Sequence, residues 1–295
     1  MTDDQIKPSG PRYTQQTVLS KTTWLTDKLF SLTVTRDPAF AFVPGQFARL
    51  GLCVEPPLQT NGDVPTESSG ASGTLDEKNT PNEWRAYSMV SRPDAQELEF
   101  FSVVVPEGKF SPALATLQVG DPLWIDKTVF GFLTLERFVD GEDLWLVATG
   151  TGLSAYLSML RDPATWTRFK RIILLHGVRH AEELAYREEL LARAQAAGAH
   201  QAQFIYLPVT SQQPLTCDLS PAIGPAWLKP ARLTTLLASG ELEQRVGTAL
   251  DPTRSRIMLC GNPAMVTEMR ALLAERGFAP GRRGVAGNLA VENYW

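Results

Sequence analysis

The pattern of apolar residues changes near residue 140, and this change constrains the fold more than any other feature of the chain. Before it, short runs rich in β-branched and aromatic residues are separated by polar breaks, as in TVLSKTTWL, FSLTVTR, VPGQFARLGLCV, LEFFSVVV and DPLWIDK. Such runs predict the short strands of an antiparallel barrel or sandwich. After it, apolar runs alternate with stretches of helical spacing, which predicts a parallel sheet with helices on its faces. We therefore predict two domains, residues 12–139 and 140–295.

The second half alternates regularly between the two kinds of element. Its predicted strands are LWLVA, RIILL, QFIYLPV and RIMLCG. Its predicted helices are GTGLSAYLSMLR, HAEELAYREELLARAQAAG, LTTLLASG, ELEQRVG and PAMVTEMRALLAERG. Because ligands of parallel sheets bind beyond the carboxyl ends of the strands, residues that follow these strands are candidates for a binding site.

Residues 56–83 interrupt the strand pattern of the first half. This stretch contains almost no large apolar residues, so it cannot bury enough surface to form part of a core. We predict an exposed loop between two strands. A tolerated surface insertion is the simpler interpretation, and a functional lid is the alternative.

Composition excludes several classes of protein. The net charge of -4 gives no reason to expect nucleic acid or a membrane surface as a partner, and no apolar run approaches the roughly 18 residues that span a bilayer. The polar N-terminus has no signal-peptide core. Cys53, Cys217 and Cys260 are scattered and odd in number, which favours a reducing compartment over a disulfide framework. We expect a cytoplasmic monomer without a metal site.

A glycine-rich turn follows the strand LWLVA. Gly150, Thr151 and Gly152 begin a G-x-G-x-x-A pattern that opens a helix, where missing side chains and the helix N-terminus favour a phosphate. A tight turn without a ligand is the alternative. Arg179 stands after the second strand, where NAD-binding folds usually place a carboxylate. A cation there suits the additional phosphate of NADP, although a lone surface arginine would mean nothing.

Other motifs suggest a second cofactor. In WRAYSMVS, a cation, a ring and a hydroxyl stand close together, as a flat phosphorylated cofactor would require and as a plain strand could by chance. In GKFSP, Ser111 and the turn amides could bind a pyrophosphate or cap a helix. Cys260 ends a strand, either as a pocket residue or as an ordinary buried cysteine. Tyr294 and Trp295 end the chain, where they could pack on the core or stack on a flat ring.

These motifs, in this order, resemble the ferredoxin–NADP reductase family, and most closely the bacterial ferredoxin/flavodoxin–NADP reductases that end in a Tyr-Trp pair. The resemblance rests on RAYS, GKFSP, ATGTGLSAYLSML, LCGNPAM and VENYW, and covers the chain apart from the 56–83 loop. It implies a six-stranded antiparallel Greek-key barrel that binds FAD. It also implies a Rossmann-like parallel-sheet domain that binds NADP(H).

The resemblance also implies roles for individual residues. Arg85 would hold the FAD pyrophosphate, Tyr87 would lie against the isoalloxazine ring, and Ser88 would bond near flavin N5. Trp295 would cover the other flavin face until nicotinamide enters. The remaining cofactor-binding residues implied by the motifs, for FAD or for the nicotinamide nucleotide, are Ala86, Phe101, Ser102, Val103, Val104, Lys109, Phe110, Ser111, Pro112, Gly150, Thr151, Gly152 and Tyr294. The catalytic set would be Ser88, Cys260, Glu292 and Trp295.

For NADP, the resemblance implies that Arg179, Ser211 and Arg232 lie at the 2′-phosphate. One departure stands out, because Ser211 is followed by Gln212 where the family usually has arginine. The preference for NADP over NAD is therefore expected to be weaker than is typical.

The activity that the resemblance implies is electron exchange between NADPH and a ferredoxin or flavodoxin through FAD. The alternatives are an NAD(P)H-dependent flavin reductase, the reductase component of an oxygenase, or a nucleotide-binding regulatory module without turnover.

Overall fold

The computed structural model describes residues 12–54, 80–196, 202–215, 229–282 and 285–293. Within these ranges the strands are β1 (Tyr13–Leu25), β2 (Leu29–Val34), β3 (Phe47–Leu52), β4 (Glu83–Ser88), β5 (Leu98–Val103), β6 (Pro122–Asp126), β7 (Asp143–Thr149), β8 (Arg171–Val178), β9 (Gln203–Thr210), β10 (Ser255–Gly261) and β11 (Leu289–Asn293). The α-helices are α1 (Phe110–Thr116), α2 (Leu153–Arg161), α3 (Pro163–Arg168), α4 (Arg187–Gln195), α5 (Leu233–Ala238), α6 (Glu241–Val246) and α7 (Pro263–Glu275). None of the described helices has the length and apolar character needed to cross a membrane.

Strands β1 to β6 form an antiparallel sheet in the order β4-β3-β6-β1-β2-β5. An antiparallel bridge between Met89 and Phe100 brings the two edges of the sheet together, and the Val90 N–H donates to the Glu99 carbonyl at 2.8 Å. The enclosed core is apolar, with Leu32 and Leu50 among its fully buried side chains. The prediction of a six-stranded barrel is confirmed, and the bridge nearly closes the sheet, so that less of its edges is exposed than a sandwich would retain.

Strands β7 to β11 form a parallel sheet in the order β11-β10-β7-β8-β9. Successive residues of a strand point to opposite faces. Leu146 and Leu174 accordingly pack in one apolar cluster, whereas Trp145 and Ile173 pack in another. Because helices cover both faces, the strands are buried on both sides. This explains the continuous apolar runs in the sequence.

Several elements differ from the sequence-based predictions, and helix α3 is absent from them. The stretch 180–198, predicted as one helix, begins with a 3-10 turn at Ala181–Glu183, and α4 starts only at Arg187. The break occurs at Tyr186, whose φ of 58° is left-handed and whose hydroxyl donates to the Glu99 carboxylate at 2.6 Å. A contact with the barrel therefore overrides the local helical pattern. In addition, the C-terminal residues form strand β11, paired in parallel with β10, which the sequence does not indicate.

The predicted loop at 56–83 falls between β3, which ends at Leu52, and β4, which begins at Glu83. Residues 56–79 of this loop lie outside the described residues, and so does Cys217.

Polar contacts join the barrel to the parallel-sheet half around α2. The Ser158 hydroxyl donates to the Ser91 carbonyl at 2.7 Å, and Arg161 binds the carboxylates of Glu99 at 2.6 Å and Glu189 at 2.7 Å. Since α2 begins directly after the glycine-rich turn, these contacts fix that turn relative to the barrel.

Candidate active site

Two cavities lie between the barrel and the carboxyl ends of the parallel strands. The first has a volume of about 460 Å³ and is lined mainly by β4, β5 and the start of α1; we call it the barrel cavity. The second has a volume of about 610 Å³ and is lined mainly by residues that follow β7, β8, β9 and β10; we call it the sheet cavity. Both volumes fall within the range of roughly 300–1,000 Å³ that is usual for small-molecule sites.

Strand β4 contributes one wall of the barrel cavity, with Arg85, Ala86, Tyr87 and Ser88 in its lining. The Arg85 side chain is 57% exposed, and its Nη1 donates to the Trp84 carbonyl at 2.7 Å. The Tyr87 hydroxyl lies 3.1 Å from the Ser102 hydroxyl, and burial raises the pKa of the Tyr87 phenol. The cation, the ring and the hydroxyl of this motif therefore face one cavity.

The opposite wall comes from β5. Phe101, Ser102 and Val103, which the resemblance places in the FAD site, line the barrel cavity, whereas the Val104 side chain packs towards the apolar core of the barrel. Val105, which the sequence does not single out, lines the cavity instead. Because β5 ends at Val103, packing beyond the strand sets the direction of the Val104 side chain, which a motif match does not resolve.

The segment before α1 closes the barrel cavity. Gly108, Lys109, Phe110 and Ser111 line it, whereas Pro112 does not. The Val105 N–H donates to the Ser111 hydroxyl at 2.9 Å, which closes the turn. Because α1 begins at Phe110, Ser111 lies inside the helix, and the interpretation of Ser111 as a helix cap is wrong.

The sheet cavity collects the residues predicted for a phosphorylated nucleotide. Gly150, Thr151, Arg179, Ser211 and Arg232 line it, together with the uncharged Gln212. Gly150 has a φ of 53°, and no atom of the described residues lies within 4 Å of where its side chain would be. The glycine-rich turn therefore leaves open space on the side of this cavity.

The two cavities share a wall. Phe101, Val103, Val105 and Thr151 line both of them. A molecule in one cavity can therefore approach a molecule in the other across this wall.

Gly152 and Cys260 are closely packed against each other. A side chain on Gly152 would lie 2.5 Å from the Cys260 carbonyl oxygen, so only glycine lets the turn pack against β10. Cys260 is fully buried in an apolar cluster and is not in the lining of either cavity.

Glu292 pairs with Cys260 across β10 and β11. A side chain on Gly131 of the barrel half would lie 3.1 Å from the Glu292 Oε1 atom. Burial raises the pKa of the Glu292 carboxyl to about 7, although a hydrogen bond from the Phe132 backbone opposes this shift. Its Oε2 atom is buried without a hydrogen-bond partner within the described ranges. Glu292 is not in the lining of either cavity. Tyr294 and Trp295 lie outside the described residues.

Several known proteins are similar to this chain in sequence and in fold. The oxidoreductase NAD-binding domain family matches residues 146–271. The ferredoxin–NADP reductase A of Sorangium cellulosum is 35% identical over 288 residues, which cover 96% of this chain and 90% of that protein. The chain belongs to the ferredoxin/flavodoxin–NADP reductase family. The flavodoxin/ferredoxin–NADP reductase of Escherichia coli K12 is also 35% identical, over 92% of this chain and 94% of its own length.

A solved structure agrees with this assignment. The ferredoxin NADP+ reductase of Neisseria gonorrhoeae, determined with bound FAD and NADP, has a TM-score of 0.78 and 31% identity, covering 97% of this chain and 100% of that one. The protein is thus an oxidoreductase with the two-domain fold of its family.

Some residues of the site belong to none of the sequence motifs. Lys28 and Glu183 line the sheet cavity although no motif includes them. Lys28 lies in the turn between β1 and β2, far in sequence from the parallel strands. Only the packing of the barrel against the sheet brings it to the cavity.

Proposed function

We propose that the reductase exchanges electrons between NADPH and a ferredoxin or flavodoxin, with FAD in the barrel cavity and the nicotinamide nucleotide in the sheet cavity. The observation that carries this proposal is the wall shared by the two cavities. It brings a ring bound along β4 and β5 within reach of a nicotinamide bound at the glycine-rich turn.

The barrel cavity has the groups that FAD requires. Arg85 and Lys109 are exposed cations at its rim and would bind phosphate oxygens, and the Tyr87 ring and Phe101 offer apolar surface for a flat ring. The Ser88 hydroxyl lines the same wall and would donate a hydrogen bond to a ring nitrogen. When bound, FAD supplies the ability to take up two electrons together and to release them singly.

The sheet cavity has cations suited to NADP(H). Arg179 and Arg232 would bind the 2′-phosphate, with Ser211 as a hydrogen-bond donor. Gln212 contributes no charge. The family membership of the chain already supports an NADP(H)-dependent flavin oxidoreductase, and the protein acceptor is the further part of the proposal.

An anaerobic titration of the purified protein tests the cofactor assignment. Reduction by NADPH should bleach the oxidised-flavin band near about 450 nm at a much lower concentration than reduction by NADH. Equal bleaching at the same concentration of both nucleotides would contradict the proposed preference for NADPH over NADH. Absence of the band, even after FAD is added, would refute the flavoenzyme assignment.

A comparison of acceptors tests the partner. The NADPH-reduced enzyme should reduce ferredoxin or flavodoxin faster than free FMN at equal concentration. A faster reaction with free FMN would instead favour a flavin reductase. We also propose that the protein is a monomer, and light scattering of the purified holoenzyme tests this oligomeric state.

A further inference from the structure

The turn between β1 and β2 carries a cation from the barrel into the sheet cavity. Lys28 lines that cavity, and the backbone around it is held firmly. The Lys28 N–H donates to the Leu25 carbonyl at 3.1 Å, and the Lys28 carbonyl accepts from the Val104 N–H at 2.8 Å. Asp27, which precedes it, has a left-handed φ of 56°. The position of Lys28 is therefore set by the turn rather than by a flexible loop.

Glu183 holds this lysine beside Arg179. The Oε1 atom of Glu183 binds both the Lys28 ammonium and the Nη2 atom of Arg179, the latter at 3.3 Å. The Oε2 atom accepts the Arg179 backbone N–H at 2.8 Å. Because one carboxylate oxygen contacts both cations, the ammonium and the guanidinium are neighbours, and together with Glu183 they leave one net positive charge.

These cations remain accessible from the cavity, since the Lys28 side chain is 32% exposed and that of Arg179 is 59% exposed, whereas Glu183 is only 8% exposed. A dianion that enters the cavity therefore meets the two cations before the carboxylate. Arg232 and Glu268 also line the cavity.

Gln212 lies on the same wall. Its N–H donates to the Arg179 carbonyl at 3.1 Å. A glutamine side chain offers a hydrogen bond but no charge, so the 2′-phosphate lacks a cation from this position.

We infer that Lys28 is a specificity-determining residue for the 2′-phosphate of NADP(H). This lysine of the barrel supplies the positive charge that Gln212 does not provide. Glu183 positions Lys28 and Arg179 next to each other. This inference rests on NADP(H) as the nucleotide substrate, which is part of the proposed function, and does not depend on the protein acceptor.

The test uses the FAD-loaded enzyme with Lys28→Met, which keeps the apolar stem and removes the ammonium. Calorimetric titration with adenosine 2′,5′-bisphosphate should show a Kd raised about tenfold, the effect of losing one charge-assisted contact. With ferricyanide as acceptor, kcat/KM should fall for NADPH and stay within about twofold for NADH, because only NADPH carries the 2′-phosphate. Lys127→Met, an exposed barrel lysine that is not in the lining of either cavity, is the matched control and should change neither value.

Two further variants test the replacement of charge. Lys28→Arg should keep the wild-type preference, and Gln212→Arg should restore most of the preference lost in Lys28→Met. If Lys28→Met lowered kcat/KM equally for NADPH and NADH, the inference would be overturned. The Lys28–Glu183 ion pair would then serve only to connect the two halves of the protein. Failure of Gln212→Arg to restore the preference would contradict the replacement of charge. A wild-type enzyme that does not prefer NADPH would overturn the NADP assignment as well, so this failure is visible before any variant is made.

Discussion

Arg161 is the side chain whose loss should most weaken the contact between the barrel and the sheet. Its Nη1 atom binds Glu99 at 2.6 Å and the Val90 carbonyl at 3.3 Å, and its Nη2 atom binds Glu189 at 2.7 Å. The side chain is 20% exposed. Removing one partner of a buried ion pair costs about 3–5 kcal/mol, and partial exposure places Arg161→Met at the lower end, about 3 kcal/mol.

This loss should be visible in thermal unfolding of the FAD-loaded enzyme followed by circular dichroism. A change of 1 kcal/mol shifts Tm by roughly 2–4 °C in larger domains, so we expect a decrease of roughly 6–12 °C. Lys170→Met is the matched control, because Lys170 pairs with Glu142 at 2.9 Å but is 73% exposed. Exposed pairs contribute at most about 1 kcal/mol. A decrease for Arg161→Met no larger than that for Lys170→Met would refute the reasoning.

The pH dependence gives a second check on Arg161. Burial raises the pKa of Glu189, but hydrogen bonding and charge from Arg161 outweigh it, so the net pKa is lowered from 4.5. A lowered carboxyl pKa stabilises the fold above the unfolded value, and the stabilisation is lost as the pH falls through the folded value. The difference in Tm between wild type and Arg161→Met should therefore narrow below pH 4.5.

Three other changes have defined outcomes. Arg85→Ala should weaken FAD binding about ten- to hundredfold, measured by flavin fluorescence, whereas Arg92→Ala, whose guanidinium is paired with Asp94 away from both cavities, should not. Gly152→Ala should lower the free energy of unfolding in urea by more than about 2 kcal/mol, because the added methyl group would clash with backbone atoms. Gly150→Ala should lower it by only about 1 kcal/mol, because the methyl group would enter open space and only the left-handed φ is unfavourable. Glu292→Gln should raise Tm relative to wild type above pH 7, since a carboxyl with a raised pKa loses its stabilising contribution as the pH rises through that value; an equal pH profile for both proteins would show that Glu292 is not buried as described.

Much of the site could be predicted because the motifs contain local geometry. Arg85, Tyr87 and Ser88 are close along one strand, so any strand there brings them to a common region. The glycine-rich turn follows a buried strand, which places it at the ligand-binding edge of a parallel sheet. Val104 and Pro112 were harder to predict, because a match of sequence motifs does not show which way each side chain points.

The helix over 180–198 shows the limit of local patterns. Its residues have helical spacing, but Tyr186 bonds to Glu99 of the barrel and Glu183 binds Lys28. Both partners are more than 80 residues away in sequence, since Tyr186 and Glu99 are separated by 87 positions and Lys28 and Glu183 by 155. Such contacts cannot be read from a window of neighbouring residues.

The amino-acid sequence alone specifies the two kinds of periodicity, and with them the barrel and the parallel sheet, because the spacing of apolar residues shows whether one face or both faces of a strand are buried. It also determined which chemical groups follow each strand. Other features arise from long-range packing: two cavities share the wall at Phe101 and Thr151, the Cys260 backbone requires glycine at Gly152, and Lys28 contacts Glu183. Those features depend on how two separately patterned halves pack together, and the free energy of that packing comes from contacts between residues that are distant in the chain.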